Sequence, residues 1–289
     1  MLRKVLHNAY KLLPYAVIEK RRVNQYDPFI REINNEYQKL KMQRNNVAKE
    51  KSTGRGYIFL FWNQGFENAP ELVKTCVRSI QKYAEGHEVV LLDKDNYTEW
   101  VSMEDYVLEA LENHSIGLAH FSDILRLKLL VEYGGIWIDS TVLLTNPIPT
   151  DILHAKLFLF KESTKQDLLL QNRGCVSNWF IVGDKDNDLL FYTLNLILYY
   201  VKQHKSFHDY YMFHWILTFV FRDNLCAWEE MPFYPNVMPH YLQFCEYNKP
   251  YDIDKWDKIK NISFAHKLSY KLKAEDGSLL SWIIAGMRE

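Results

Sequence analysis

The segment SDILRLKLLVEYGGIWIDST, residues 122–141, spaces two acids and a guanidinium so that they can meet. At about 100° per residue, Asp123, Arg126, Leu127 and Leu130 fall on one side of a helix, and Lys128 and Glu132 on the other. Asp123 and Arg126 therefore point inward. Ser122 is the expected cap of this helix, and Gly134-Gly135 its stop. In the IWIDST that follows, β-branched residues favour a strand, and Asp139 emerges at its end. A carboxylate at such an end, beside the crevice of an open α/β sheet, can hold a divalent cation, which in turn grips a diphosphate. Asp123 and Arg126 can then hydrogen-bond sugar hydroxyls and neutralise phosphate charge, work that suits the guanidinium fork. The same spacing equally fits a buried salt bridge tying helix to strand.

The elements that must position these residues are legible on either side. Tyr57 to Trp62 reads as a buried strand ending at a polar, glycine-containing loop. Pro70 fits the first turn of a helix running toward Gly86, and EVVLLD is a second strand, followed by Asp93 and Asp95 in turn-forming positions. Strand, helix, strand predicts a parallel sheet with ligands gathered where the strands end. Residues 103–116 predict another helix, AKLFLF and CVSNWFIVG two further strands, and residues 186–204 and 208–222 two aromatic-rich helices. Pro232, Pro235, Pro239 and Pro250 predict an irregular C-terminal part. Residues 1–53 read as two helices broken near Pro14 and Asp27-Pro28, then a polar loop.

A chain of 289 residues, 48% hydrophobic and 25% charged, has the composition of a globular protein with a sizeable core. Residues 1–55 hold 13 Lys and Arg against 5 Asp and Glu, a net +8, which leaves −9 for the remainder. Such a basic, partly amphipathic arm can lie on an anionic membrane surface or meet an anionic lipid-linked molecule; it equally fits a helical pair packed on the main domain. Cys76, Cys175, Cys226 and Cys245 show no paired spacing, so reduced, buried thiols in a cytoplasmic protein are expected. The chain has no GxxxxGK[ST] loop, no GxGxxG and no GxSxG, which argues against a phosphate-loop kinase, a dinucleotide oxidoreductase and an elbow-type hydrolase.

The segment SDILRLKLLVEYGGIWIDST resembles the sugar-binding core of bacterial capsular polysaccharide synthesis proteins, relatives of glycosyltransferases with a DXD sugar-binding region. WNQG followed by a proline and C-x-x-S, SNWFI, the D-Y pattern at Asp209 and the closing H-K-L extend the resemblance. It covers residues 57–149 strongly and 175–271 more loosely, with the basic arm outside it. One departure matters: the wider motif has a second aspartate where this chain has Thr141.

The resemblance implies a Rossmann-like α/β fold of the GT-A type, with a mostly parallel central sheet and helices on both sides. It divides the chain into an arm over 1–53 and a domain over 54–289, of which 54–149 is the nucleotide-sugar half and 150–289 the acceptor half. The implied activity is retaining transfer from a nucleotide sugar, a UDP-sugar by expectation, to a saccharide or lipid-linked acceptor. Trp62 would stack on the base with Gln64 nearby, while Asp123, Arg126, Asp139 and Lys267 would hold the donor. Asp139 and His266 would ligate Mn2+ or Mg2+, and Asn178, Tyr210 and His214 would line the acceptor side. The expected place is the cytoplasm, peripheral on the inner face of the cell membrane, with no nucleic-acid partner. Two other classes stay open. A non-catalytic sugar-binding subunit is kept alive by Thr141, and a glycoside hydrolase would take Asp139 and Asp209 as its catalytic carboxyl pair.

Overall fold

The structure, a computed structural model, describes residues 15–44, 56–162, 164, 165, 168 and 174–286, with 15–27 described through their backbone alone. The expected first helix as far as Pro14 and the loop over 45–55 lie outside the described residues. The expected break at Asp27-Pro28 does not occur: α1 (Tyr15–Arg44) is one helix with Pro28 inside it. An internal proline costs about 3 kcal/mol or more. Packing offsets that cost, because Phe29, Ile33, Tyr37 and Leu40 recur at helical spacing and all are buried. Phe29 meets Tyr200 edge-on at 5.2 Å and stacks on His208 at 4.7 Å, while Tyr37 takes Tyr192 and Phe219 edge-on, each at 5.2 Å. Arg44 closes the contact with a 2.9 Å bond to Asp188. These four apolar side chains lie in the same hydrophobic core as the central sheet.

That sheet is built from β1 (Tyr57–Phe61), β2 (Glu88–Leu92), β3 (Gly135–Ile138), β5 (Leu157–Lys161) and β6 (Val176–Gly183), in the order β2-β1-β3-β6-β5. β1 runs parallel to β2 and β3, and β6 runs antiparallel to both β3 and β5, so β6 alone is reversed and the sheet is mostly parallel. Flanking it are α2 (Glu71–Lys82), α3 (Asp105–Glu112), α4 (Leu118–Tyr133), α6 (Asp188–His204) and α7 (Met212–Arg222), and a one-turn α5 (Thr150–Leu153) precedes β5. The expected α/β class holds. Gly135 is required where β3 joins the sheet: its φ is 102°, and a Cβ there would stand 2.6 Å from the Tyr57 carbonyl oxygen.

After β3 the chain leaves this sheet through Asp139-Ser140-Thr141 and enters β4 (Val142–Leu144). β4 pairs antiparallel with β7 (Ala265–Lys267), placing Val142 opposite Lys267 and Leu143 opposite His266. Behind this ladder Leu72, Cys76, Leu143, Trp256, Leu268 and Leu280 form a second, smaller core. The C-terminal part is more regular than its prolines predict, with α8 (Leu225–Glu230), α9 (Val237–Tyr241), α10 (Ile253–Ile262) and α11 (Leu279–Gly286). Pro239 sits inside the short α9, where little intrahelical bonding is lost. Among the described residues no cysteine is paired with another, and Cys76 and Cys175 are buried, but Cys226 and Cys245 are exposed rather than buried as expected. Among the described residues no helix is long and apolar enough to cross a membrane.

Ile33 is fully buried in α1. Ile33→Ala should therefore cost about 2–5 kcal/mol in urea unfolding of the full chain. A loss under about 0.5 kcal/mol would mean that α1 is only tethered to the body.

Candidate active site

Asp139 stands at the C-terminal end of β3, where the chain crosses from the large sheet to the small ladder. Its position is fixed by backbone: its N–H donates to the Trp179 carbonyl at 2.8 Å, and its own carbonyl accepts from Val142 at 3.0 Å. The next hydroxyl, that of Ser140, donates to the Phe61 carbonyl at 2.8 Å, pinning this corner to the end of β1. The carboxylate is equally determined. Trp137 Nε1 donates to Oδ1 at 3.0 Å, Arg126 approaches Oδ1 at 3.5 Å, and Lys267 Nζ donates to Oδ2 at 2.7 Å.

Helix α4 supplies the other two charges from its inward side, as the spacing predicts. Arg126 lies 3.3 Å from Asp123, and Asn178 of β6 donates its side-chain N–H to Asp123 at 2.8 Å. Arg126 is fixed by donating to the carbonyls of Ser122 and Asn178 and to the Ser122 hydroxyl, and its guanidinium lies over the Trp137 ring at 5.0 Å. Ser122 is thus no cap: α4 begins four residues earlier, at Leu118, and the Ser122 hydroxyl serves Arg126 one turn on. Arg126 is only 4% exposed, so it holds the two acids in place rather than reaching a substrate itself.

The two acids differ electrostatically. Burial pushes the Asp123 carboxyl up to about 7, with Arg126 and the Asn178 bond opposing and the Asp139 charge adding to the rise. Burial would raise Asp139 too, but Lys267 and Arg126, with the bonds from Lys267 and Trp137, outweigh it and hold its carboxyl below the ordinary range. Asp139 is therefore the ionised member at neutral pH.

Around this pair the structure gathers some expected residues and not others. Tyr210 borders it: burial raises its phenol's pKa, and the negative charges of Asp123 and Asp139 add to the rise. His214 is also near, its pKa pushed down to about 4 by burial and then by the charge of Arg126. Gly174 packs against it, since a Cβ there would come within 2.6 Å of His214 Cβ. Trp62 is half-buried in the loop after β1 and meets Tyr270 edge-on at 5.3 Å, while Gln64 is exposed two residues on. Asp93 forms the expected turn, accepting the N–H groups of Asp95 and Asn96 at 2.8 and 3.1 Å.

Two expectations require correction. His266 does not join Asp139. It pairs across the ladder with Leu143, on the side of the second core, and its Nε2 lies 3.2 Å from Thr145 Oγ1; the alternation of β7 turns Lys267 to the opposite side. Burial pushes its pKa down to about 4. Asp209 accepts the Tyr211 N–H at 2.8 Å in a turn, because α7 starts at Met212 rather than His208. Tyr270 went unanticipated: no spacing in the sequence ties it to Trp62, and only the fold brings the two rings together.

The site does not fit a divalent cation. Asp139 Oδ2 and Thr141 Oγ1 are the oxygens such an ion would use, and both face Lys267 Nζ, at 2.7 and 2.8 Å. At an effective dielectric near 20, a divalent ion about 4 Å from an ammonium is repelled by about 8 kcal/mol. Among the described residues no group of three or more His, Cys, Asp and Glu side chains could hold a metal.

A family model described as capsular polysaccharide synthesis protein matches residues 10–282. The chain belongs to this family. The match takes in α1 as well as the motif-bearing segments, so the family's extent reaches beyond the resemblance legible in the motifs. No curated protein matches the chain. Among solved structures, "PaToxG Glycosyltransferase" is 17% identical over 72% of this chain and 82% of its own, with a TM-score of 0.43. A glycosyltransferase involved in the glycosylation of the major capsid of PBCV-1 is 9% identical over 81% and 98%, with a TM-score of 0.38.

The carboxyl of Asp123 carries a pH signature. Because its folded pKa, about 7, exceeds its ordinary 3.8, the stability it contributes is full below about pH 4 and is lost as pH rises through about 7. In thermal melts, wild type should lose ground to Asp123→Asn between about pH 5 and about pH 8. A difference independent of pH would show that Asp123 stays ionised throughout.

Proposed function

We propose that this protein is a glycosyltransferase that moves a sugar from a nucleoside-diphosphate donor to a saccharide acceptor in capsular polysaccharide assembly. The observation that carries this reading is the meeting of Asp123, Arg126, Asp139 and Lys267 at the end of a parallel strand, where an α/β sheet opens its ligand crevice. Asp139 and Lys267 keep part of their side chains exposed there, 24% and 19%, so the charged cluster reaches the open side rather than closing into the core.

In this reading Trp62 and Tyr270 receive the base, a uridine by expectation, and Asp139 with Tyr210 receives the sugar hydroxyls. Lys267 meets the diphosphate. The bond between sugar C1 and the β-phosphate oxygen breaks with its electron pair going to that oxygen, and the ammonium stabilises the charge that develops. The acceptor hydroxyl oxygen bonds to C1, and its proton passes to the departing phosphate oxygen. The products are the glycoside and the nucleoside diphosphate. Asp123 is buried beneath Arg126 and Asn178 and positions the pair, and the transfer is expected to retain the anomeric configuration. For the acceptor, a cavity of about 370 Å3 lined by Glu162, Asn236, His240, Tyr241 and Phe244 lies beside Trp179. Mixed aromatic and polar lining suits a sugar chain, free or lipid-linked.

A sugar-binding subunit without turnover is the second reading, and Thr141 in the second acidic position favours it. Incubation with a panel of nucleotide sugars and release of nucleoside diphosphate decides between them. Asp139→Asn should lower the release by about 100-fold or more. Binding of donor with no release by wild type would support the subunit. NMR of the product should show the donor's anomeric configuration kept, and an inverted linkage would remove the retaining mechanism.

The proposed location is the inner face of the cell membrane, held there by the basic first residues. A truncation testing this must stop short of Phe29, since deeper cuts remove buried core side chains. The chain lacking residues 1–24 should sediment less with anionic vesicles than the full chain. Equal sedimentation would reject the membrane contact.

A further inference from the structure

Asp139 and Thr141 are two residues apart on either side of one point, and a cation already occupies it. Lys267 Nζ lies 2.7 Å from Asp139 Oδ2 and 2.8 Å from Thr141 Oγ1. We propose that the Lys267 ammonium is a tethered replacement for the divalent cation, so that this protein binds its donor diphosphate, and releases the nucleoside diphosphate, without a metal. The inference rests on the transferase reading and specifies how that site handles phosphate charge.

The fold keeps the ammonium there. Lys267 stands opposite Val142 in the antiparallel ladder, and the N–H of the next residue, Leu268, donates to the Thr141 carbonyl at 2.9 Å. The lysine and the two oxygens it bridges thus ride on one hydrogen-bonded unit. An ammonium has three N–H donors, and two are spent on these oxygens, which leaves the third for a phosphate oxygen on the exposed side. Thr141 fits this arrangement where an aspartate would not be needed. A metal wants a second anionic ligand, whereas a single ammonium is neutralised by Asp139 alone, and a neutral hydroxyl accepts its remaining bond. Asp139 carries a second cation, Arg126, at 3.5 Å from its other oxygen, so the site keeps cationic character toward an incoming diphosphate even with Asp139 ionised.

Calorimetric titration of uridine, guanosine and adenosine diphosphates into the full chain, in EDTA and in Mn2+, tests this. At least one should bind wild type with the same affinity in both buffers. Lys267→Met should weaken that binding in EDTA by about tenfold or more. Mn2+ should restore it to the variant, because the freed oxygens of Asp139 and Thr141 then admit the metal. Wild-type binding that appears only with Mn2+, or Lys267→Met binding undiminished in EDTA, overturns the lysine's role and leaves the transferase reading standing. No binding of any nucleoside diphosphate in either buffer overturns both. The wild-type comparison needs no variant, so a Lys267→Met that failed to fold would not shield the proposal.

Discussion

A guanidinium buried between two carboxylates cannot move without leaving a charge unpaired. Arg126 is in that position: it touches Asp123 and Asp139, gives its remaining donors to Ser122 and to the Asn178 carbonyl, and lies over Trp137. The contacts come from α4, from β3 with the corner after it, and from β6, so the residue works as a clamp between helix and sheet. Removing one partner of such a cluster leaves an uncompensated buried charge, a cost of about 3–5 kcal/mol. The clamp divides the acids into two roles. Asp123, shut in with Arg126 and Asn178, drifts toward protonation, while Asp139, served also by Lys267 and Trp137, stays ionised with part of its side chain exposed.

Around the clamp, the corner over Asp139-Ser140-Thr141 joins two sheets of different character. The large sheet fixes the corner's start through the Trp179 and Phe61 carbonyls, and the small ladder fixes its end through the Leu268 N–H. A ligand held by Asp139 and Lys267 would therefore touch both units at once. The aromatic pair Trp62 and Tyr270 repeats this pattern, with one ring from the loop after β1 and the other from beyond β7. The chain belongs to the capsular polysaccharide synthesis protein family, and at its corner a lysine, Lys267, bridges Asp139 and Thr141.

The contrast between α1 and the site shows which expectations physical pattern could support. Reading Pro28 as a helix end applied a sound local rule. The rule lost to four buried side chains, Phe29, Ile33, Tyr37 and Leu40, and the rings that Phe29 and Tyr37 meet on α6 and α7 are more than a hundred residues away in the chain. The C-terminal prolines misled in the same direction. His266 looked like a ligand because it adjoins Lys267, but neighbours on a strand face opposite ways, and only the pairing of β7 with β4 decides which of the two meets Asp139.

The sequence by itself determined the α/β alternation, the strand ending at Asp139 and the inward side of α4 that carries Asp123 and Arg126, because each follows from a period of two or 3.6 residues within one element. The tertiary structure alone decided that Lys267 sits on Asp139 and Thr141, that Tyr270 meets Trp62, and that α1 belongs to the core. Those contacts join segments far apart in the chain. Their existence depends on strand pairing and burial summed over the whole fold, which no local pattern encodes.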